Sequence, residues 1–485
     1  MTFTAEAGPV PDAALDLDGF DAASWADLRS RISDGTAHLL AEQMNRVGFC
    51  THPVRLKGTA WTINTATGEV VDSWSSDAAP GGVLVKACGN RRASVCPACS
   101  RVYARDTFEV VRAGVQGGKS VPESVAGNPL VFATLTAPSF GRVHGVRDQH
   151  GRCRPTGHGL CPHGRPTWCH RQHTDTDPTT GAPLCDDCYD WASAVVWQWW
   201  APELWRRFTI ALSRTLAAHL GVPQSRLRDH ASVQFAKVAE YQARGLVHFH
   251  VLVRLDGPGG PGSPAPVAGD VLADLVRTAA TQVTFDAPPV DATDTTRVLR
   301  FGAQIDVRTV RAGLGDGDLT GETVAAYLAK YATKSVTDGP AGRAHLAVMR
   351  HWCDRYAHRA TVADLSGSPY RLVGKWAHML GFRGHFSTRS RRYSVPIGRL
   401  RAARARYQRL TAHAARQGRP IDTRDLEARL LADETETTLV VGSFTYLGTG
   451  WERPGDEALA LAAAARAREH AQHKAQLRHH QPGKE

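Results

Sequence analysis

The stretch Leu246-Val247-His248-Phe249-His250-Val251-Leu252-Val253 is apolar except for two histidines. Side chains alternate between the faces of a β-strand, so valine and phenylalanine occupy one face while His248 and His250 share the other. Imidazoles in such a strand need polar partners, because buried polar groups are nearly always hydrogen-bonded. The pattern predicts a buried strand whose two histidines bind one metal ion. The simpler alternative is that both histidines only hydrogen-bond within the sheet.

A third metal ligand is predicted from the hairpin that precedes this strand. Ala243-Arg244-Gly245 suits a three-residue loop in which Gly245 takes the left-handed conformation. Such a loop pairs residue 242 with 246, and therefore Glu240 with His248 on the same face of the sheet. Two imidazoles and one carboxylate would hold a divalent cation and leave positions open for substrate oxygens.

A second pattern, Ala326-Tyr327-Leu328-Ala329-Lys330-Tyr331-Ala332-Thr333-Lys334, predicts a helix. Tyr327 and Tyr331 are four residues apart, so both hydroxyls leave one face, and Lys330 and Lys334 repeat this spacing on the neighbouring face. An amphipathic helix with partly buried tyrosines and solvated lysines would give the same pattern.

The histidine strand and the tyrosine helix together predict phosphoryl transfer. A tyrosine hydroxyl with a pKa of about 10 is a poor nucleophile at neutral pH. It becomes competent when a metal polarises the phosphate and a nearby lysine stabilises the developing charge. The resulting phosphotyrosine ester conserves the energy of the phosphodiester bond, so the strand can be rejoined without a nucleotide cofactor. Two tyrosines on one face would allow two successive transfers.

Three motifs follow one another along the chain: Phe132-Ala133-Thr134-Leu135-Thr136, His248-Phe249-His250, and the doubled Y-x-x-K from Tyr327 to Lys334. In this order they resemble the motifs of the HUH endonucleases, specifically the two-tyrosine rolling-circle replication initiators. The layout is most similar to the initiators of actinobacterial plasmids and integrative elements. That similarity includes the segments 88–96 and 161–188 and covers about residues 45–410.

The resemblance implies an α+β fold with an HUH endonuclease-like central antiparallel sheet flanked by helices, and the tyrosine helix packed over the histidines. It implies Mg²⁺ or Mn²⁺ at the catalytic site, a 5′-phosphotyrosine intermediate, a 3′-OH that primes the host polymerase, and unwinding by a host helicase. A near match to a phosphate-binding loop at 113–120 begins with Ala113 instead of glycine, and Pro122 would break a following helix, so we expect no nucleotide cofactor.

The cysteines fall into two groups whose CxxC spacing is typical of zinc sites. The first predicted structural zinc site comprises Cys50, Cys88, Cys96 and Cys99, with His52 as a substitute for Cys50. The second comprises Cys161, Cys169, Cys185 and Cys188, with His163, His170 or His173 able to replace one of them and Cys153 left over. The sequence therefore predicts a zinc-stapled N-terminal module and a Cys/His insert.

The charge of the chain favours a polyanionic partner. Its 58 Lys and Arg residues against 47 Asp and Glu give a net charge of +11. A high-GC genome, in which Arg and Ala are used freely, would also produce such a balance. Four arginines in a loop-like segment are predicted to contact the DNA backbone: Arg383, Arg389, Arg391 and Arg392. From residue 399 onward, a solvated helix face explains the arginines equally well.

The expected organisation is an N-terminal lead-in at 1–45, a zinc-bound module and helix at 46–125, an HUH nuclease domain at 126–365 with the Cys/His insert at 141–190, and a basic DNA-contacting region with a helical tail at 366–485. No apolar stretch is long enough to span a bilayer and the N-terminus lacks a signal-peptide pattern, so we expect a cytoplasmic protein without a membrane partner.

The function predicted from the sequence is that of a plasmid or integrative-element replication initiator, which nicks and rejoins one strand of single-stranded origin DNA. A conjugative relaxase or HUH transposase is an alternative, but relaxases usually place the tyrosine before the histidines, and these transposases are short with one tyrosine. A non-enzymatic zinc-dependent DNA-binding regulator would explain the charge and the cysteines. It would leave His248, His250 and the doubled tyrosine motif unexplained.

Overall fold

The structure is a computed structural model that describes residues 17–146, 148, 150–174, 176–310, 320–332, 343–362, 367–431 and 438–479. The chain divides into two compact units, one formed by Met1–Asp106 with Gly398–Glu485 and the other by Thr107–Ile397. Both units contain antiparallel sheets and helices, so the predicted α+β class is confirmed.

The elements are numbered in chain order. The strands are β1 Val54–Asn64, β2 Val70–Ser75, β3 Leu84–Lys86, β4 Leu130–Leu135, β5 Ser232–Tyr241, β6 Val247–Asp256, β7 Phe285–Ala287, β8 Arg297–Leu299, β9 Ile305–Thr309, β10 Ser387–Arg389 and β11 Thr438–Thr449. The α-helices are α1 Ala22–Ser33, α2 Ala37–Arg46, α3 Pro97–Gln116, α4 Trp191–His219, α5 Gly269–Gln282, α6 Gly321–Ala332, α7 Ala344–Val362, α8 Ile397–Arg416, α9 Leu426–Leu431 and α10 Pro454–His479. Within these described ranges, no helix is long and apolar enough to cross a membrane.

The second unit is built on a five-stranded antiparallel sheet with the order β10-β5-β6-β4-β9. The alternating valines and phenylalanine of β6 are fully buried in one hydrophobic cluster with residues of α4 and α5, such as Trp197 and Leu272. The Oε1 of Gln198 in α4 accepts a hydrogen bond from the backbone N–H of Val247 at 3.0 Å. Burial of each large apolar side chain contributes about 1.5–3 kcal/mol. Because the apolar face of β6 packs against α4, the opposite face, which carries His248 and His250, is turned away from this helix.

A buried ion pair closes the far end of β6. Arg254 and Asp256 are both fully buried and lie 2.9 Å apart. Arg254 also donates hydrogen bonds to the backbone carbonyls of Gly114 in α3 and Tyr393 after β10. These bonds satisfy the guanidinium and join β6 to two segments that are distant in sequence.

The connection from β4 to α4 contains the predicted Cys/His insert at 141–190. Its described residues form turns and isolated antiparallel bridges: Val143↔Pro183, Val146↔Cys153, Arg152↔Gln172 and Leu160↔Pro166. The segment therefore has no continuous strand or helix within its described residues.

The first unit contains a four-stranded antiparallel sheet in which β1 pairs with β11, β2 and β3. Helix α1 packs against α10, where the Arg31 guanidinium donates to both carboxylate oxygens of Asp456. The pairing of β1 with β11 joins the N-terminal and C-terminal parts of the chain into one unit.

Candidate catalytic site and metal groups

The β5–β6 hairpin has the predicted register. The backbone N–H of Gln242 donates to the carbonyl of Leu246 at 2.8 Å, and Gly245 has a φ of +84°. This left-handed conformation favours glycine, and a Cβ at this position would also require the Leu346 side chain, 2.8 Å away, to shift. Glu240 is paired with His248, which confirms the pairing inferred from the loop length.

Three potential ligand atoms converge on the face of the sheet opposite α4. Glu240 Oε2 lies 3.1 Å from Nε2 of His248 and 3.1 Å from Nε2 of His250. All three ligand atoms lie within 4.8 Å of one another. The side chains are 13%, 17% and 4% exposed, in the same order. The group is therefore sheltered yet reachable from solvent on one side.

The first strand motif supports His250 from the neighbouring strand. Thr134 is paired with His250, and its Oγ1 lies 3.1 Å from His250 Nδ1. A hydrogen bond from Nδ1–H to this oxygen leaves the lone pair of Nε2 directed toward Glu240. The ring of Phe132 stacks on the His250 imidazole with centroids 5.7 Å apart and 9° between the planes. The sequence does not reveal these roles of the motif, because they depend on which strand lies beside β6.

Helix α6 places Tyr327 over the histidines. Thr320 caps the helix by accepting the backbone N–H of Thr323 at 3.2 Å. The Tyr327 hydroxyl lies 3.3 Å from His250 Nε2, and its ring meets Phe132 edge-on at 5.9 Å. Tyr327 is 36% exposed, so part of this residue is open to solvent.

The other residues of the tyrosine motif are less fully described. Lys330 lies on an exposed side of α6. Tyr331 belongs to the same helix, but its side chain lies outside the described residues, and so does all of Lys334.

The chemistry of the site suits a divalent cation. One carboxylate oxygen and two imidazole nitrogens provide three ligands, and a six-coordinate ion would keep further positions for water and phosphate oxygens. Carboxylate and water are ligands that Mg²⁺ and Mn²⁺ both accept, while the two nitrogens favour Mn²⁺.

The four predicted DNA-binding arginines are not gathered in one place. Arg389 belongs to β10 opposite Ala236, where it is half-buried and donates to the carbonyls of Ser390 and Arg391. Burial lowers the pKa of the Arg389 guanidinium. Arg391 and Arg392 are exposed in the turn that follows. Arg383 is instead stacked 4.4 Å from the Trp199 ring of α4, the helix on the apolar side of the sheet.

The cysteines of the first unit come together as predicted for a four-sulfur group. The Sγ atoms of Cys50, Cys88, Cys96 and Cys99 lie within 4.8 Å of one another. Those of Cys50 and Cys96 are 3.8 Å apart, and the backbone N–H of Cys88 donates to Cys50 Sγ at 3.3 Å. Four sulfurs in this arrangement are typical of a closed tetrahedral zinc site.

The predicted four-cysteine set of the insert is divided in the structure. Cys161, Cys185 and Cys188 lie together, but the fourth position belongs to His163, whose Nδ1 is 3.2 Å from Cys188 Sγ. A tight turn, in which the N–H of Gly164 donates to the carbonyl of Cys161, places His163 beside these cysteines. Cys169 belongs to a separate group. Sequence spacing could not distinguish these partitions because the turns of the insert decide them.

Comparisons with known proteins agree over most of the chain. A family model described as "Replication initiator protein, pSAM2" matches residues 36–465. A "Replication initiator protein" of Streptomyces ambofaciens is 41% identical over 438 residues, covering 87% of this chain and 89% of the relative. No solved structure matches the chain.

Proposed function

The chain belongs to the family of the pSAM2 replication initiator protein, and from this premise we propose that it starts rolling-circle replication by nicking and rejoining one strand of its origin. A replication initiator binds origin DNA, and one strand of this DNA would be the substrate of the reaction. The five-stranded sheet of the second unit would serve as an HUH endonuclease-like core.

The observation that carries the proposal is the position of the Tyr327 hydroxyl, 3.3 Å from Nε2 of His250. This atom belongs to the group of three ligand atoms formed with Glu240 and His248. A candidate nucleophile on a partly exposed residue therefore lies beside a set of potential metal ligands, which a protein that only binds DNA does not require.

The proposed reaction is a phosphodiester exchange. The Tyr327 oxygen attacks the phosphorus and forms a bond to it, while the bond from phosphorus to the 3′-oxygen of the preceding nucleotide breaks. The phenolic proton leaves to solvent, and the departing 3′-oxygen takes up a proton to become a 3′-OH. The 5′-phosphate remains on the tyrosine, and attack by a 3′-OH reverses the step without a nucleotide cofactor. The free 3′-OH would prime the host polymerase, with unwinding by a host helicase.

Glu240, His248 and His250 would hold Mg²⁺ or Mn²⁺, and the ion would polarise the phosphate and favour the tyrosinate. Thr134 would keep Nδ1 of His250 protonated so that Nε2 remains a ligand. Lys330 and Lys334 are proposed to stabilise the charge that develops on the phosphate, and Tyr331 to make a second transfer.

Two further roles are proposed away from the tyrosine. Structural zinc would be held by Cys50, Cys88, Cys96 and Cys99, and separately by Cys161, His163, Cys185 and Cys188. Closed shells of four ligands leave no position for substrate, so both sites would support the fold. Arg389, Arg391 and Arg392 would contact phosphates beside β10, and Arg383 would do so only from the other side of the sheet.

The test uses the full chain, Mn²⁺ and single-stranded origin DNA labelled at either end. A 5′-phosphotyrosine leaves the downstream fragment on the protein, so a 3′-label should migrate with the denatured protein. A 5′-label should instead appear on a shorter strand that a polymerase can extend.

The variants identify the nucleophile. We expect the adduct to disappear in the double variant Tyr327→Phe/Tyr331→Phe and in His248→Ala, while the single tyrosine variants show which residue acts first. An adduct that survives the double variant contradicts the proposal. Tight binding of origin DNA without an adduct under any metal would favour the non-enzymatic regulator.

A further inference from the structure

The insert contains another cluster of metal-ligand side chains, formed by His144, Cys153, Cys169 and His173. Nδ1 of His144 lies 3.2 Å from Nε2 of His173. Cys153 Sγ lies 3.8 Å from the same His144 nitrogen, and Cys169 Sγ lies 3.5 Å from the same His173 nitrogen. We propose that these four residues bind a zinc ion, in addition to the zinc proposed at Cys161, His163, Cys185 and Cys188.

The distances are those of a tetrahedral zinc shell. Zinc binds nitrogen at about 2.0–2.1 Å and sulfur at about 2.3 Å, which places two ligand nitrogens about 3.3 Å apart and a nitrogen and a sulfur about 3.6 Å apart. The separations of 3.2, 3.5 and 3.8 Å match these values. Two thiolates and two imidazoles are a common zinc ligand set.

The hydrogen bonds of His173 provide independent support. Its side chain is fully buried, and its Nδ1 lies 2.7 Å from Asp177 Oδ2. Thr179 holds the other oxygen of this carboxylate through its backbone N–H at 2.8 Å and its hydroxyl at 2.7 Å. A histidine that ligates zinc commonly donates its second ring N–H to a carboxylate in this way. The arrangement directs the lone pair of Nε2 into the cluster.

Without a metal, the same residues could form only a small hydrogen-bonded network. His144 would then donate its Nδ1–H to Nε2 of His173, and the two cysteines would remain as buried or half-buried thiols. A cluster of two buried and two half-buried metal-ligand side chains in a segment with short β-bridges is better explained by an ion that holds the turns together. The β-pairings among the described residues of the segment are isolated bridges and not continuous strands.

This zinc would also steady the hairpin that carries the candidate catalytic ligands. His144 exchanges backbone hydrogen bonds of 2.8 Å with Gly181 and Ala182. A Cβ on Gly181 would lie 2.2 Å from the backbone of Ala243, so the insert packs directly on the β5–β6 loop. The adjacent Arg244 donates to the carbonyls of Ala137 and Pro138, both at 2.8 Å. Any effect on DNA cleavage rests on the proposed function, whereas zinc binding itself does not.

The first experiment measures zinc per chain in the purified full-length protein by elemental analysis and native mass spectrometry. Three zinc ions are expected: one in the first unit and two in the insert. Cys153→Ala and His173→Ala should each retain two. The matched control His158→Ala removes an exposed histidine of the same insert and should retain three.

A rescue variant separates loss of a ligand from loss of the fold. Cys153→His replaces one zinc ligand by another and should restore the third zinc that Cys153→Ala lacks. In the cobalt-substituted protein, the thiolate-to-cobalt absorption should fall equally in Cys153→Ala and Cys169→Ala, because both thiolates belong to one ion. The same number of zinc ions in Cys153→Ala as in the wild type would overturn the proposal, whatever the outcome of the cleavage assay.

Discussion

The hydroxyl of Tyr327 lies 3.3 Å from Nε2 of His250, although 77 residues separate them in the chain. The tyrosine helix therefore lies over the histidine strand. The Tyr327 ring also contacts the Phe132 ring of the first strand motif. All three motifs meet at this point. Packing of the helix alone does not require a hydroxyl at the edge of a group of potential metal ligands.

We expect Thr134→Val to weaken divalent metal binding at this group by about 10–100-fold. Valine has nearly the same shape but cannot accept the hydrogen bond from His250 Nδ1, which lies 3.1 Å from Thr134 Oγ1. The imidazole then loses the partner that fixes its tautomer. Calorimetric titration of the zinc-loaded protein with Mn²⁺ measures the effect. Thr134→Ser keeps the hydroxyl and should bind as the wild type does, so equal affinities for Val and Ser would contradict this role.

Local geometry explains why part of the site could be predicted from sequence. Glu240 and His248 belong to one hairpin, and the length of its loop determines which residues face each other. The burial of alternate residues in β6 follows equally from the strand period. Both inferences depend only on residues that are close to one another in the sequence.

The remaining features depend on long-range pairing. Thr134 supports His250 only because β4 lies beside β6, with a large insert and a long helix between them in sequence. The pairing of β1 with β11 has no local sequence signal. Cys169 lies in the group of His173 and not in that of Cys161. The bridge Arg152↔Gln172 brings the neighbouring residues Cys153 and His173 together in this group. The spacing of residues in the sequence could not predict the two strand pairings or the grouping of Cys169.

Removing the charge of Arg254 should destabilise the second unit by about 3–5 kcal/mol, because it leaves a buried carboxylate unpaired. Arg254 and Asp256 are both fully buried and 2.9 Å apart. We expect Arg254→Met to lower the urea midpoint strongly, as followed by tryptophan fluorescence. Arg308→Met is the matched control, since Arg308 pairs with Asp306 at 3.1 Å while both side chains are more than half exposed. Arg308→Met should lower the free energy of unfolding by at most about 1 kcal/mol. Similar losses in both variants would argue against a specific cost of burial.

Lys237 should make stability depend on pH. It is 4% exposed, packs over the Phe249 ring at 4.7 Å, and donates to the carbonyl of His385 at 3.0 Å. Burial lowers the pKa of its ammonium from 10.5 to about 7. Between these values the unfolded chain binds a proton that the folded chain lacks, so stability rises with pH by on the order of 1 kcal/mol per unit.

The variant Lys237→Met removes this titration. Its thermal midpoint should exceed that of the wild type at pH 7, and the advantage should shrink as the pH rises toward 10. Lys375→Met changes an exposed lysine and should track the wild type throughout. A constant difference between Lys237→Met and wild type over this range would show that the buried lysine is not the cause.

Brief chelation should separate the proposed catalytic ion from the proposed structural zinc. Glu240, His248 and His250 provide three ligands beside an exposed tyrosine, whereas Cys50, Cys88, Cys96 and Cys99 provide a closed shell of sulfur. An ion with open coordination positions exchanges faster than one enclosed by four thiolates. We expect EDTA to abolish adduct formation while zinc content and the thermal midpoint stay unchanged, and Mn²⁺ to restore the adduct without refolding. If adduct formation instead falls only as zinc is lost, and zinc alone restores it, the cleavage chemistry would not depend on this three-ligand group.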